Sequence, residues 1–153
     1  MKDTDGFPED ASTDWDAVIE DATAFASEYR DKSWETVVVH TGDVTVLTGE
    51  RFGLSVLAPT SEYEQVKALV GGATFDSVEV YRRAGKDWIF ALCVFEATAD
   101  EAVILVPVFA PTTAPELRAQ VEEAGELPIY VRSLAEGERT TFTVPDPSLV
   151  FES

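Results

Sequence analysis

The sequence predicts an α+β fold with a mainly antiparallel sheet, and three observations carry that prediction. One stretch near the front repeats its apolar residues with a helical period. Later stretches are β-branched or alternate with a period of two, and turn residues separate them. Two short helical patterns, each opened by proline and threonine and closed by glycine, interrupt the strands. The expected order is a helix, two strand-strand-strand-helix units and two final strands.

Residues 1–12 mix Gly6, Pro8 and charges without a period and read as a mobile acidic tail, and residues 13–153 read as one α+β domain. Trp15, Val18, Ile19, Ala22, Phe25, Ala26 and Tyr29 share one helical face, which predicts an amphipathic helix from Asp14 to Lys32. Glu35 to His40 and Val44 to Leu47 are β-branched runs joined at Thr41-Gly42-Asp43. With Leu54 to Leu57 they read as a three-strand meander. Pro59-Thr60-Ser61 opens a helix over Ser61 to Val70, where Ser61 and Glu64 have capping-box spacing and Gly71-Gly72 ends the pattern.

Val78 and Val80 then alternate with Glu79 and Tyr81, and Ala84-Gly85-Lys86 turns the chain into Trp88 to Phe95. Asp100-Glu101 turns it again into Val103 to Phe109, where Pro107 suggests a bulge or an edge. Thr113 and Glu116 have capping-box spacing, and Pro115 falls in the first turn of a helix that Gly125 ends. Ile129 to Leu134 and Arg139 to Val144 are the last strands. Leu54 to Gly72 and Val103 to Gly125 share the same succession of strand, proline, threonine, helix and glycine. They read as two halves of one antiparallel sheet.

The Trp88 to Phe95 stretch does not alternate. Ile89, Ala91, Cys93 and Phe95 fall on one face, Trp88, Phe90, Leu92 and Val94 on the other, so both faces need cover. The two short helices can shield one side. The long helix or a second subunit must shield the other, which makes a homodimer or a bound protein partner the expectation there.

The chain carries 29 acidic against 11 basic residues, a net charge of -18, no asparagine and a pI near 4.1. This is the surface expected in a salt-accumulating cell, where 1 M salt screens carboxylates to about 3 Å. Mimicry of nucleic acid or docking on a basic partner is the rival explanation. Nucleic-acid binding and membrane binding are not expected, since the net charge repels phosphate and no apolar run approaches the ~20 residues of a membrane span. Cys93 is the one cysteine, so neither an intramolecular disulfide nor a cysteine zinc cluster can form. That fits a reducing interior. Residues 1–16 show no signal pattern, and a cytoplasmic location is expected.

His40 is the sole histidine, so a Ser-His-Asp arrangement would have to use it, with Asp43 as the carboxylate three residues on. These are the candidate catalytic residues; the plainer reading is a partly solvated histidine at a strand end. Cys93 lies in an apolar strand and reads as a small hydrophobe. Asp76, Glu79 and Tyr81 resemble the acidic pair of metal-dependent nucleases, except that Tyr81 stands where such sites place a lysine. Arg82, Arg83 and Lys86 form a basic cluster near a hairpin tip, and with Trp88 and Phe90 they are the candidate ligand- or partner-binding residues. No metal or other cofactor is expected. The expected function is a noncatalytic protein-interaction or regulatory module of a salt-adapted cytoplasm. The alternative is a small enzyme or small-ligand domain using dispersed carboxylates or His40 with Asp43. An enclosed concavity with converging polar groups would favour the alternative, and a flat patch would favour a partner.

Tyr29-Arg30, Trp34-Glu35-Thr36, Gly42-Asp43, Val80-Tyr81-Arg82, Pro107, Thr141-Phe142 and Asp146-Pro147 together resemble an uncharacterised domain family of haloarchaea. The likeness spans most of the chain and implies a salt-rich cytoplasm and no assigned activity. The element order is also similar to that of type III secretion chaperones, which implies a small acidic dimeric binder. The final pair of strands departs from that pattern.

Overall fold

The computed structural model describes residues 9–134 and 139–151. They run α1 (Glu9–Asp31), β1 (Glu35–Val38), β2 (Asp43–Leu47), β3 (Gly53–Leu57), α2 (Thr60–Gly72), β4 (Ser77–Ala84), β5 (Trp88–Ala97), β6 (Ala102–Pro111), α3 (Pro115–Ala124), β7 (Leu127–Arg132), β8 (Arg139–Val144) and α4 (Ser148–Phe151). The fold is α+β, with the strand and helix order that the sequence predicts and a short fourth helix. Of the expected tail, residues 1–8 lie outside the described residues, and from Glu9 the chain is already helical.

The strands form two four-stranded sheets, which corrects the expectation of one. Sheet I has the order β1-β6-β5-β4 and sheet II the order β2-β3-β7-β8. Hairpins β2-β3, β4-β5, β5-β6 and β7-β8 are antiparallel, but β1 joins β6 in parallel and β3 joins β7 in parallel. The expected meander is therefore broken after β1. Val39 N–H donates to the Leu105 carbonyl in sheet I, and three residues later Gly42 N–H donates to the Leu57 carbonyl in sheet II. The turn thus hands the chain from one sheet to the other.

This arrangement follows from the two-faced apolar strands. Ile89, Ala91, Cys93 and Phe95 of β5 and Ile104, Val106 and Val108 of β6 face sheet II, where they meet Leu54, Val56, Ile129, Val131 and Phe142. The second sheet, and not the short helices, covers this side. Tyr63 and Val66 of α2, Leu117 and Val121 of α3 and Val150 and Phe151 of α4 complete the same core. The other side of sheet I, with Phe90, Leu92, Val94, Val103 and Leu105, is covered by Val18, Ala22 and Ala26 of α1. Each fully buried large apolar side chain contributes about 1.5–3 kcal/mol, so the α1 seam is a second core in its own right. It removes the reason for placing a homodimer on that face.

Local signals fare unevenly. The N-caps of α2 and α3 are Pro59 and Ala114, neither with a side-chain cap bond, so the capping boxes expected at Ser61 and Thr113 do not form. Pro115 does open α3, and Gly125, at φ 78°, closes it by donating to the Val121 carbonyl. Pro107 lies in a central strand without a bulge. It is tolerated because β1 pairs no further than Leu105, and the Pro107 carbonyl, on the side where β1 has ended, accepts the Thr41 hydroxyl at 2.7 Å.

Candidate functional site

His40 leaves β1 and meets the first turn of α2, not Asp43. Glu62 accepts the His40 backbone N–H at 2.7 Å and pairs with Nδ1 at 2.5 Å. Asp43 begins β2 on another surface and accepts the Thr45 hydroxyl. Glu62 orients the ring through Nδ1, as the carboxylate of a catalytic triad orients its imidazole, and Nε2 is the ring nitrogen left for a proton-transfer role. The His40 side chain is 69% exposed, however, so water competes at the ring. The contact serves to tie the β1 exit to α2.

The basic cluster at the hairpin tip does not converge. Arg83 Nε donates to Asp14 Oδ1 at 3.1 Å and fastens the β4–β5 hairpin to α1, while the preceding residue, Arg82, points to the opposite face of the strand. Lys86 is exposed in the turn. Trp88 packs edge-on against Phe109, and Phe90 is fully buried beside Trp15. Phe90 is therefore no surface residue, because α1 occupies the face on which it was expected to bind.

The acidic pair also dissolves. Asp76 precedes β4 and accepts the Thr98 N–H and hydroxyl, whereas Glu79 lies on the other strand face and accepts the Tyr81 hydroxyl at 2.6 Å. That bond, with partial burial, pushes Tyr81 up to about 12. Burial and a hydrogen bond to Glu96 hold the Tyr29 phenol still further above its usual range. Cys93 is wholly enclosed between the sheets, and burial pushes its thiol up to about 12. It is inert in this state. Among the described residues no three His, Cys, Asp or Glu side chains are gathered as a metal site.

A cleft of about 330 Å³ lies between α3 and α4, lined by Arg118, Glu122, Gly125, Asp146, Ser148 and Phe151 among others. Arg118, Asp146 and Ser148 in its lining are already hydrogen-bonded. Arg118 donates to the Thr112 and Phe151 carbonyls, and Asp146 accepts the Ser148 N–H and hydroxyl. This network holds the last helix down.

The outer face of sheet II is different. All buried side chains of α2, α3 and α4 belong to the inter-sheet core and those of α1 to the far seam, so no described helix lies over it. Alternation and register order its side chains in three rows across β2, β3, β7 and β8. Leu47, Gly53, Pro128 and Thr143 form a low row. Thr45, Ser55, Tyr130 and Thr141 form a row in which every residue bears a hydroxyl. Asp43, Leu57, Arg132 and Arg139 form the third.

Packing fixes the centre of this face. Gly53 has φ 138°, and a Cβ there would stand 2.3 Å from the Pro128 carbonyl oxygen and 3.0 Å from the Tyr130 ring. Only glycine fits. The Tyr130 hydroxyl donates to the Phe52 carbonyl at 2.9 Å, which fixes the ring near Gly53. At the rim Leu47, Thr48, Glu50, Arg51 and Tyr130 bound an open depression of about 620 Å³. Arg132 Nε donates to the buried Ser55 hydroxyl at 2.9 Å, and Arg139 stands directly opposite Arg132 in register. Among the described residues neither arginine has a carboxylate at ion-pair distance. Sequence reasoning missed this pair because the arginines lie seven positions apart on either side of a loop. The alternation of β7 and β8 was the available signal, and pairing Arg132 with Arg139 required the register.

No described helix is long and apolar enough to cross a membrane. No curated protein and no solved structure matches the chain. Over residues 5–152 it matches the model of a family of unknown function, DUF7529, and the chain belongs to that family.

Proposed function

We propose that the protein is a noncatalytic interaction module of a salt-adapted cell, and that it docks a protein partner on the outer face of sheet II. One observation carries the reading: this face is fixed by its own hydrogen bonds and is not covered by any described helix. A preformed surface binds without ordering loops, which lowers the entropic cost of association. The acidic composition supports the salt-adapted part of the reading, since a net charge of -18 favours solubility where salt screens it.

The test is a photo-crosslinking amino acid placed at Thr45 or Thr141 on the face, with Thr23 on the exposed side of α1 as the control. Expressed in its own cell, the protein should crosslink to one and the same protein from both face positions and not from Thr23. Equal crosslinking from Thr23, or none from the face, would overturn the assignment.

A second reading rests on the carboxylate-oriented imidazole of His40. It makes the chain a small enzyme, with His40 as the base and Glu62 in the role expected of Asp43. Loss of an identified activity in a folded His40→Ala protein would establish it.

A further inference from the structure

We infer that Arg132 and Arg139 are an anion-recognition pair for an acidic segment of a partner protein. The inference rests on the docking reading of the outer face of sheet II and names what that face selects. Like charges directly opposite on neighbouring strands destabilise a sheet. Here two arginines are placed so, while the two glutamates nearest them in sequence, Glu136 and Glu138, fall in the connecting segment outside the described residues and take no position in the ladder between them. Ser55 holds one guanidinium through Nε, which leaves both terminal nitrogens of Arg132 to donate in a fixed fork.

The charge around the pair is local. α1 carries eight acidic residues and one arginine, but it lies on the far side of sheet I. Stacked sheets are about 10 Å apart and α1 lies a further layer away, so those carboxylates are too distant to pair with the arginines. Among the described residues of the face, Asp43 alone opposes the two arginines, at the far edge of the same row. Leu134, 79% exposed, follows two residues after Arg132 and supplies an apolar contact next to the cations. An acidic segment with an interspersed apolar residue matches both features. A nucleic-acid backbone fits less well, because two arginines neutralise few of its regularly spaced phosphates. A second copy offering the acidic α1 to this face is the competing occupant, and a mass measurement separates it from a partner protein.

The probe is a fluorescein-labelled peptide of repeated Asp-Asp-Leu, followed by anisotropy at about 0.15 M salt, with a labelled oligothymidine of equal charge beside it. Wild type should bind the peptide more tightly than the oligothymidine. The double variant Arg132→Gln/Arg139→Gln should lose about tenfold or more, the scale of lost charge-assisted hydrogen bonds. Thr141→Trp, which raises a bulky ring on the face, should lose binding as well. These three positions are exposed or half-buried, and circular dichroism checks that each variant folds as wild type. If only Thr141→Trp loses binding, the arginine pair is refuted and the docking face stands. If neither variant changes binding, both readings fall. No binding by wild type, or equal affinity for the oligothymidine, overturns the acidic-protein partner. A concentration-dependent doubling of mass that the double variant abolishes makes the occupant a second copy, and overturns it too.

Discussion

Sheet I turns Phe90, Leu92 and Val94 outward and covers them with α1, whereas sheet II turns Thr45, Tyr130 and Thr141 outward and leaves them in water. Both sheets alternate in the same way, and the inner faces share one core. The difference lies in what the outward rows hold. An apolar row obliges the chain to provide a helix, and α1 answers with a stripe of Val18, Ala22 and Ala26 whose small side chains let it lie close. A hydroxyl row makes no such demand. The charge divides along the same line, with the carboxylates of α1 over one face and, on the other, two arginines that pair with no carboxylate among the described residues.

The contrast is sharpest in stability. Phe90→Ala opens a cavity under α1 and should cost about 3–5 kcal/mol, while Thr141→Ala on the open face should stay within about 0.5 kcal/mol. Chemical denaturation of the two variants measures both, and comparable losses would mean that the open face is packed after all.

Salt should act next most strongly, because carboxylates crowd on and around α1. As the Debye length falls from about 10 Å at 0.1 M to about 3 Å at 1 M, the melting temperature should rise. An unchanged melting temperature would remove the salt-adapted reading.

Alkali probes the α1 seam through Tyr29. An unfolded tyrosine titrates near 10.0, and burial and the Glu96 hydrogen bond hold Tyr29 above that in the fold. Its contribution is complete below pH 10 and is lost as pH rises toward the folded value, since the unfolded chain releases the proton first. Tyr29→Phe should therefore make stability fall less steeply above that pH. The same slope in the variant would exclude Tyr29 as the source.

The smallest effect has the most telling sign. Arg139→Glu replaces a like-charge pair with an opposite-charge pair and should stabilise the free protein by about 0.2–1 kcal/mol, while abolishing peptide binding. A loss of stability would show that the two arginines do not repel.

Much of this contrast was legible beforehand. The unbroken apolar pattern of Trp88 to Phe95 announced two covered faces, and the helical stripe from Trp15 to Tyr29 supplied one cover. The partners of strands were not legible, since alternation gives faces but not neighbours. Thr41-Gly42-Asp43 reads equally as a hairpin turn and as a passage between sheets, and only the parallel pairing of Val38 with the Leu105 strand position decides. For the same reason sequence proximity suggested Asp43 for His40, where the fold brings up Glu62. The basic cluster at Arg82, Arg83 and Lys86 was visible as a run, but adjacent residues on a strand face opposite ways. The pair that does share a face, Arg132 and Arg139, is visible only in register.

Cysteine accessibility tests the open face most directly, because Cys93 provides an unreactive internal reference. In purified protein, Thr141→Cys and the α1 control Thr23→Cys should both react with a maleimide at the rate of a free thiol. In the cell's own lysate Thr141→Cys should become protected while Thr23→Cys stays reactive. Equal labelling at the two positions in both settings would contradict the claim that the bare face of sheet II is the surface a partner occupies.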